Sequence, residues 1–377
     1  MNADKIQEYR DNPALNQGLL KALLKGVRSY NKQMELKEET FYEEKFHLLV
    51  GQGVDTLITE GEDSFNDKYY PAMVSKPSDA IMAVIQETFS KTVEYYGSLR
   101  ILKDDAPDLK DHLKRIWEAC ETFGYYVSRR KDDWQKDTRP ASIVEAGKWY
   151  WKELLEGAGK IILTPEENEI IQSVYKSITT HHVTKEVFDC TPHQRIVFQE
   201  PIYFEYRGHQ CKILPDWHKV DDEAMTIQPF DLKTTRNSPQ NFLFEIKQWR
   251  YDIQAAYYTL GLISKYGLLG YKILPFKFLV ETTERGAQGQ PCIFECTEEL
   301  LKVGRHGRPK MYLHFKADAV EDKPSEYSIP VVREVHGFEH ALDLYEWHLD
   351  NGFETDRIIL ENENQFLINY DGAIFLK

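Results

Sequence analysis

The chain has 377 residues, of which 42% are hydrophobic and 13% aromatic, and its formal net charge is −14 at pH 7. This length exceeds the ~100–200 residues of a usual single domain, so it predicts one large α/β domain with insertions or two domains. The negative charge argues against tight nonspecific binding to nucleic acid, although an acidic protein can still carry a basic cleft. There is no apolar run of about 18 residues and no signal-peptide pattern, and the five cysteines are sparse. We therefore expect a cytoplasmic protein with reduced thiols and no membrane partner.

The first half of the chain has the pattern of a series of helices. Asn16 is a predicted N-cap for a helix from Gln17 to Arg28, which buries a stripe of leucines. Thr164-Pro165-Glu166-Glu167 has the signature of a helix start, with a capping threonine, proline at the first position and glutamate three residues on. The other predicted helices cover Glu43–Thr59, Ser78 to about Leu102, Leu109–Arg129, a segment from near Ala141, and Pro165 to about His181.

The second half changes to strands with one helix among them. A helix from Phe242 to about Ile263 separates the third predicted strand from the fourth. This order favours a mixed β-sheet flanked by helices, so the predicted fold class is α/β with a large helical N-terminal half. The predicted strands are Val197–Arg207, Gln210–Pro215, Ile227–Lys233, Ile273–Thr282 and Pro291–Cys296.

Three charged residues stand out at the centre of the strand region. Asp216 follows the strand Gln210–Pro215, and Asp231 and Lys233 lie two positions apart in a later strand, so these two share one face. The polar turn Asp221-Asp222-Glu223 can join the two strands as a hairpin and bring all three groups together. Two carboxylates beside an ammonium suit a hard divalent cation and an anionic phosphodiester.

The helix after this strand carries a second pattern. Gln254 and Tyr258 are four residues apart and lie on one helix face, which Tyr251 and Lys247 extend towards the N-terminus. Because the helix starts soon after the Asp-x-Lys strand, this face can border the charged cluster. The alternative is that Tyr258 belongs to the core and Gln254 is a surface amide.

Taken together, these motifs resemble those of a known nuclease superfamily. Pro215-Asp216, Asp231-Leu232-Lys233 and Gln254-x-x-x-Tyr258 are similar to the PD-(D/E)XK nucleases, and within them to the RecE and lambda-exonuclease branch. The resemblance covers roughly Asn12 to Cys296, and the remainder to Lys377 matches no family. Further similar segments are Asn16–Lys21, Gly51–Ile58 and Gly159–Thr164.

The resemblance implies a fold, an activity and a set of partners. It implies a restriction-endonuclease-like core, with residues 1–300 as the nuclease domain and residues 301–377 as an extension of unknown role. It implies a Mg²⁺-dependent exonuclease, able to use Mn²⁺, that acts on linear duplex DNA in phage-type recombination in a bacterial or phage-infected cell. A ring-shaped homo-oligomer and a single-strand annealing protein are the implied partners. An endonuclease of the same fold and a noncatalytic DNA-binding or interaction protein remain open.

The resemblance also implies roles for individual residues. Asp216, Asp231 and the backbone carbonyl of Leu232 are expected to hold the metal, with Asp55 and Glu200 completing the site. Lys233 is expected to orient the attacking water or stabilise charge, with Gln254 and Tyr258 positioning it or the DNA strand. Glu200 can equally be a surface residue, since Glu205 lies on another phase of the same predicted strand.

Several basic residues are candidates for DNA contacts. Lys25 and Arg28 recur with Lys21 on the first predicted helix, and Lys247 lies on the face that borders the charged cluster. Arg305 belongs to a basic, glycine-containing segment, Lys302–Lys310, that is predicted to be a mobile loop. Two interpretations of this loop remain open: it binds a DNA backbone through its basic side chains, or it is a solvated turn. The pair Cys292 and Cys296 is expected to be buried thiols, because an iron–sulfur cluster needs four thiolates.

Asp55 is a departure from the RecE pattern, which places a histidine at this position. If Asp55 is a metal ligand, Asp55→Ala should lose activity without losing stability; as an ordinary surface residue it should be silent within about 0.5 kcal/mol. We expect Asp55→His to keep some Mn²⁺-supported cleavage and to lose more of the Mg²⁺-supported cleavage, because imidazole suits Mg²⁺ poorly. Cleavage assays in each metal measure this, and full activity of Asp55→Ala in both would remove Asp55 from the site.

Overall fold

A computed structural model describes residues 3–35, 46–97, 108–309, 311–316, 326–332, 334–361, 366–369 and 372–375. The chain divides into two compact units, the first made of Met1–Glu44 with Ser177–Lys377 and the second of Lys45–Lys176. The predicted boundary near residue 300 does not coincide with this division and stays a prediction. In the part of the chain that is described, no helix combines the length and apolar character needed to span a membrane.

The first unit opens with three short helices, α1 Ala3–Asp11, α2 Gln17–Leu23 and α3 Val27–Glu35. Asn16 caps α2 as predicted, since its side-chain oxygen accepts the N–H of Leu19 at 2.9 Å. The predicted single helix Gln17–Arg28 is wrong, because Gly26 has φ +117° and ends it. Asp356 caps the new start by accepting the N–H of Val27 at 2.6 Å.

The second unit is mainly helical. Its core contains Val84, Ile85, Ile116, Ile143 and Trp151. The predicted capping box before the last helix is confirmed by reciprocal hydrogen bonds between Thr164 and Glu167 at 2.6 and 3.1 Å. The elements are α4 Phe46–Thr59, α5 Glu62–Lys68, β1 Tyr69–Pro71, α6 Asp79–Tyr96, α7 Leu113–Thr122, α8 Arg139–Glu156, β2 Ile161–Leu163 and α9 Pro165–Thr180, within which the division into units falls.

Two helices of the second unit differ from the predicted bounds. The predicted helix Leu109–Arg129 is shorter, because Gly124 and Tyr126 adopt left-handed backbone at φ 60° and 46°. The helix predicted from Ser78 to about Leu102 ends at Tyr96, because Gly97 adopts left-handed backbone at φ 72°, and the residues after Gly97 up to Leu102 lie outside the described residues. The predicted first residues near Glu43 of another helix also lie outside the described residues. The parallel pairing of β1 with β2 was not predicted.

The first unit continues with eight strands: β3 Gln194–Phe198, β4 Ile202–Tyr206, β5 His209–Ile213, β6 Trp217–Asp221, β7 Thr226–Thr235, β8 Lys272–Ile273, β9 Lys277–Thr282 and β10 Cys292–Glu295. Six of them form a mixed sheet in the strand order β10-β9-β7-β6-β3, with β8 also beside β7. Strands β7 and β9 are parallel, whereas β6 is antiparallel to both β3 and β7. Strands β4 and β5 form a separate antiparallel pair.

Helices flank this sheet, which confirms the predicted α/β class. The largest hydrophobic core among the described residues includes Ile253, Tyr257 and Leu262 of the helix Tyr251–Tyr266. These side chains pack with Phe276, which directly precedes β9, and with Phe278, which lies in β9. The remaining helices are α10 Phe242–Trp249, α11 Tyr251–Tyr266, α12 Glu298–His306, α13 Phe338–Asn351 and α14 Arg357–Glu361. Two further antiparallel pairs are β11 Met311–Lys316 with β12 Glu326–Val332, and β13 Phe366–Asn369 with β14 Gly372–Phe375.

Backbone breaks explain where the predicted elements are wrong. The predicted strand Val197–Arg207 is two strands, because Gln199 has φ 43° and Pro201 follows it. The predicted helix Phe242–Ile263 is also two elements, since Arg250 has φ 54°. The predicted loop Lys302–Lys310 is helical up to His306, and Lys310 lies outside the described residues.

Gly304 lets α12 pack closely on α11. A Cβ at this position would lie 2.0 Å from the backbone oxygen of Asp252. We expect Gly304→Ala to lower the free energy of unfolding by about 1–3 kcal/mol, the usual cost of overpacking. Urea denaturation measures the change, and Gly267→Ala is the matched control, because its nearest contact would be an ordinary 3.5 Å. Equal stability of both variants would mean that the two helices can separate without cost.

Candidate active site

Asp216 lies at the start of β6 and faces Asp231 across the strand pair. Trp217 is paired with Phe230, so the antiparallel register places Asp216 opposite Asp231. The Asp216 Oδ2 atom accepts the N–H of Leu232 at 2.7 Å. The side chain thus continues the hydrogen bonding of the ladder directly before the first residue of β6. The strand predicted to pair with the Asp231 strand was Gln210–Pro215, but the structure shows that its partner is β6. The predicted polar turn after Asp221 joins β6 to β7.

Asp231 is the most buried member of the cluster, with 1% of its surface exposed. Its Oδ1 atom accepts a hydrogen bond from Gln254 Nε2 at 2.7 Å, and its Oδ2 atom accepts one from Lys233 Nζ. The predicted common face of Asp231 and Lys233 is confirmed, because their side chains meet on one side of β7. The Lys233 side chain keeps 16% exposure, so the ammonium lies at the edge of the buried cluster.

A tyrosine ring lies between two lysines beside this cluster. Lys233 Nζ is 4.8 Å from the centre of the Tyr251 ring, and Lys21 Nζ is 5.9 Å from the same ring. Lys21 also donates to the backbone carbonyl of Trp249 at 3.2 Å. Helix α2 therefore brings a second ammonium close to the Asp231–Lys233 pair. Lys21 was predicted to lie on one helix with Lys25 and Arg28, and no local sequence pattern indicated its contact with the Tyr251 ring.

Burial and opposite charges set the protonation of these groups. Burial raises the pKa of the Asp231 carboxyl, and the charges of Lys233 and Lys21 act in the opposite direction. Burial also disfavours the charge on Lys233, but the attraction of Asp231 and Asp216 outweighs it and raises the pKa of this ammonium. Burial and the repulsion of Lys233 lower the pKa of Lys21 to about 8. Near neutral pH the site thus carries Lys233 as a cation.

The predicted helix face is only partly reproduced. Gln254 reaches Asp231, and Tyr258 is 8% exposed, with its ring centre 6.3 Å from that of Phe276. Burial raises the pKa of the Tyr258 hydroxyl well above its ordinary value. Lys247 is exposed and lies in α10, on the other side of the break at Arg250. The catalytic role of Tyr258 and the DNA contact of Lys247 stay predictions.

Glu200 belongs to a different cluster. Its carboxylate contacts Lys265 Nζ at 2.7 Å and accepts the Tyr266 hydroxyl at 2.7 Å. These partners lie at the C-terminal end of α11, about 18 Å along the helix axis from Gln254 at ~1.5 Å per residue. The structure therefore does not bring Glu200 to Asp231 through this helix, and its metal role stays a prediction.

The other predicted site residues lie on several different elements. Asp55 lies on α4 in the second unit, where its backbone carbonyl accepts the Thr59 hydroxyl at 2.8 Å, and its role stays a prediction. Lys25 and Arg28 are exposed on either side of the break at Gly26. Arg305 donates to Glu339 Oε1 and to the Tyr206 hydroxyl, each at 2.8 Å. The structure thus uses Arg305 to hold α12 against α13.

The carboxylate pair fits a hard divalent cation. Within the described ranges, no three His, Cys, Asp or Glu side chains form a ready metal cluster. Asp216 and Asp231 nevertheless supply two oxygen donors from neighbouring strands, and Mg²⁺ in proteins is held by one or two carboxylates with several waters. The ammonium of Lys233 contacts one of these carboxylates. The donor set is therefore suited to Mg²⁺ or Mn²⁺, and the carbonyl of Leu232 stays a predicted ligand.

Comparison with known proteins gives one family match. The sequence model of a family described as a PDDEXK-like domain of unknown function (DUF3799) matches residues 19–305. No curated protein matches the chain. Among solved structures, a proposed exonuclease from Eubacterium rectale is similar, with 19% sequence identity and a TM-score of 0.28. That similarity covers 49% of this chain and 66% of the other chain, which is just under two thirds. The family match includes Asp216, Asp231, Lys233 and Gln254.

Proposed function

The chain belongs to the family of PDDEXK-like domains of unknown function, and from its site and its resemblance to the RecE branch we propose that it is a metal-dependent exonuclease of linear duplex DNA. The family confirms the predicted PD-(D/E)XK superfamily and its restriction-endonuclease-like fold, and a nuclease domain has DNA as its substrate. The proposal extends this to the RecE and lambda-exonuclease branch and to recombination of the phage type. It includes a ring-shaped homo-oligomer and a single-strand annealing protein as partners.

One observation carries the proposal. The buried carboxylate of Asp231 is held by the amide of Gln254 and the ammonium of Lys233, and Asp216 faces it from the neighbouring strand. A carboxylate with 1% exposure is costly to bury unless it is paired, and here Lys233 and Gln254 provide the partners. Such costly, paired charges concentrate at functional sites.

The geometry supports specific roles in hydrolysis. A bound divalent cation would polarise a phosphoryl oxygen and lower the pKa of a water molecule. Asp216 and Asp231 would hold that cation, and the amide of Gln254 fixes the orientation of Asp231. Lys233 would turn its ammonium to the scissile phosphate, where it stabilises the developing negative charge. Lys21, beside the same tyrosine ring, would add positive charge for the DNA backbone.

Digestion of two DNA substrates tests the proposal. An exonuclease should shorten end-labelled linear duplex in the presence of Mg²⁺ and leave covalently closed circles intact, while chelation of the metal should stop the reaction. Cleavage of the circles would identify an endonuclease of the same fold. No cleavage of either substrate in Mg²⁺ or Mn²⁺, combined with binding to DNA, would point to a noncatalytic DNA-binding protein.

A further inference from the structure

The second unit exposes a tryptophan on a helix that also carries part of its core. Trp149 of α8 is 58% exposed, whereas Trp151, two residues later, is 1% exposed and packs in the core. The two indoles point to different sides of the helix, so the core accounts for Trp151 but not for Trp149. Trp149 is therefore an exposed aromatic ring on the polar side of α8.

A groove lies beside this indole. It has a volume of about 200 Å³ and runs between α8 and the short helical turn Leu109–His112. We call it the Trp149 groove, and the residues that line it are Asp108, Leu109, Lys110, Val144, Lys148, Trp149, Trp151 and Lys152. Its lining combines apolar side chains, among them Val144 and Trp149, with three lysines.

The rim has an excess of positive charge. Three lysines and one carboxylate line the groove, on a chain whose net charge is −14. Lys110 pairs with Asp108 at 3.0 Å and Lys148 with Glu145 at 3.1 Å, while Lys152 Nζ lies 5.1 Å from the centre of the Trp149 ring. These surface pairs are weak and open to exchange with an anionic ligand. The exposed indole of Trp149 and the three lysines together complement a ligand that carries both a negative charge and a flat aromatic ring.

We infer that the Trp149 groove binds single-stranded DNA, with one base stacked on the indole and its backbone phosphates on the lysines. Single-strand binding sites combine a positively charged track with aromatic rings on which bases stack without regard to sequence. Duplex DNA keeps its bases paired and stacked, so only an unpaired strand offers a free base to Trp149. The inference rests on the proposed function for its choice of DNA, because an exonuclease acting on duplex DNA exposes a single strand.

Binding without cleavage tests this inference. The full-length protein, kept in chelator so that no hydrolysis occurs, is titrated into fluorescently labelled oligothymidylate, and the anisotropy gives the Kd. Trp149→Ala should weaken binding by about tenfold, the usual effect of losing one stacked base. Trp149→Phe should restore most of the affinity, since phenylalanine also stacks. Lys148→Gln with Lys152→Gln should flatten the dependence of log Kd on log salt by about 0.7 for each lost phosphate contact.

Tyr95→Ala is the matched control. Tyr95 lies in the same unit, is 73% exposed and has Arg115 4.6 Å from its ring centre, but it does not line the Trp149 groove. Its Kd should equal that of the wild type. The inference is overturned if Trp149→Ala binds as tightly as wild type, if both variants lose affinity equally, or if duplex DNA shows the same dependence on Trp149. Competition by polyglutamate as effective as that by unlabelled oligothymidylate would also overturn it, in favour of an acidic protein segment.

The two proposals fail in different experiments. If the wild type cuts no DNA but binds the oligonucleotide through Trp149, the exonuclease proposal fails and the groove assignment stands. If cleavage is normal and Trp149→Ala binds like wild type, only the groove assignment fails.

Discussion

Lys233→Ala is expected to lower the rate of DNA cleavage by at least about 10²–10³-fold, the usual effect of removing one group that stabilises transition-state charge. The ammonium of Lys233 is the cation next to the carboxylate pair, with its pKa raised by Asp231 and Asp216, so it stays charged near neutral pH. Lys21 lies near the same tyrosine ring but 5.9 Å from its centre, and it is held by the carbonyl of Trp249. We therefore do not expect Lys21 to replace Lys233.

The structure adds a consequence for stability that the sequence pattern did not indicate. Asp231 is 1% exposed, so removing Lys233 leaves a buried carboxylate without its cation. Breaking a buried ion pair from one side costs about 3–5 kcal/mol. A double variant with Asp231→Asn and Lys233→Met removes both charges, so it should recover stability without recovering activity. This pair of variants separates a loss of chemistry from a loss of folding.

Initial rates on linear duplex and urea denaturation measure the two effects. Lys272→Ala is the control, because Lys272 is an exposed lysine on β8 of the same sheet, and it should match the wild type in both. Near-normal cleavage by a folded Lys233→Ala protein would remove Lys233 from the reaction. Loss of cleavage in Lys272→Ala as well would show that the assay reports general DNA binding.

The second large effect concerns the metal. Asp216→Asn and Asp231→Asn should each weaken Mn²⁺ binding by at least the 10–100-fold that changes around a metal site cost. Each substitution removes one formal charge from a pair of hard oxygen donors. Asp216→Asn is the cleaner test, since an amide oxygen can still accept the N–H of Leu232. Calorimetric titration with Mn²⁺ gives the dissociation constants.

Asp222→Asn is the control for this prediction. Asp222 is an exposed carboxylate in the turn between β6 and β7, close in sequence to both ligands but paired with Arg195. Its Mn²⁺ affinity should be unchanged. The same affinity in the wild type and in both ligand variants would mean that the metal lies elsewhere, whereas weaker binding in all three variants would indicate a general effect of charge.

Local periodicity and motif spacing were enough for part of the site. Asp231 and Lys233 were predicted to share a face because alternation along a strand does not depend on what packs against it. The helix caps at Asn16 and Thr164 were found for a similar reason, since capping uses hydrogen bonds within one turn. Together with Asp216 and Gln254, the Asp-x-Lys spacing led to the PD-(D/E)XK superfamily, which the family match confirms.

The predicted element boundaries are wrong where a single residue adopts an unusual backbone conformation. Arg250 at φ 54° divides the predicted helix after the site, and Gln199 at φ 43° divides the predicted strand before it. Neither is glycine, so composition did not mark them as breaks. Strand β6 was not predicted either, although its register with β7 is what places Asp216 opposite Asp231.

The sequence by itself determined the α/β class, because the class depends on periodicity along the chain, and the resemblance of its motifs to the PD-(D/E)XK nucleases indicated the superfamily and the grouping of Asp216, Asp231, Lys233 and Gln254. Only the tertiary structure decided that Lys21 joins this cluster, that Glu200 contacts Lys265, and that Arg305 contacts Glu339. These contacts join residues distant in the sequence. Their partners are set by strand register and helix packing, and neither is encoded in the pattern of one segment.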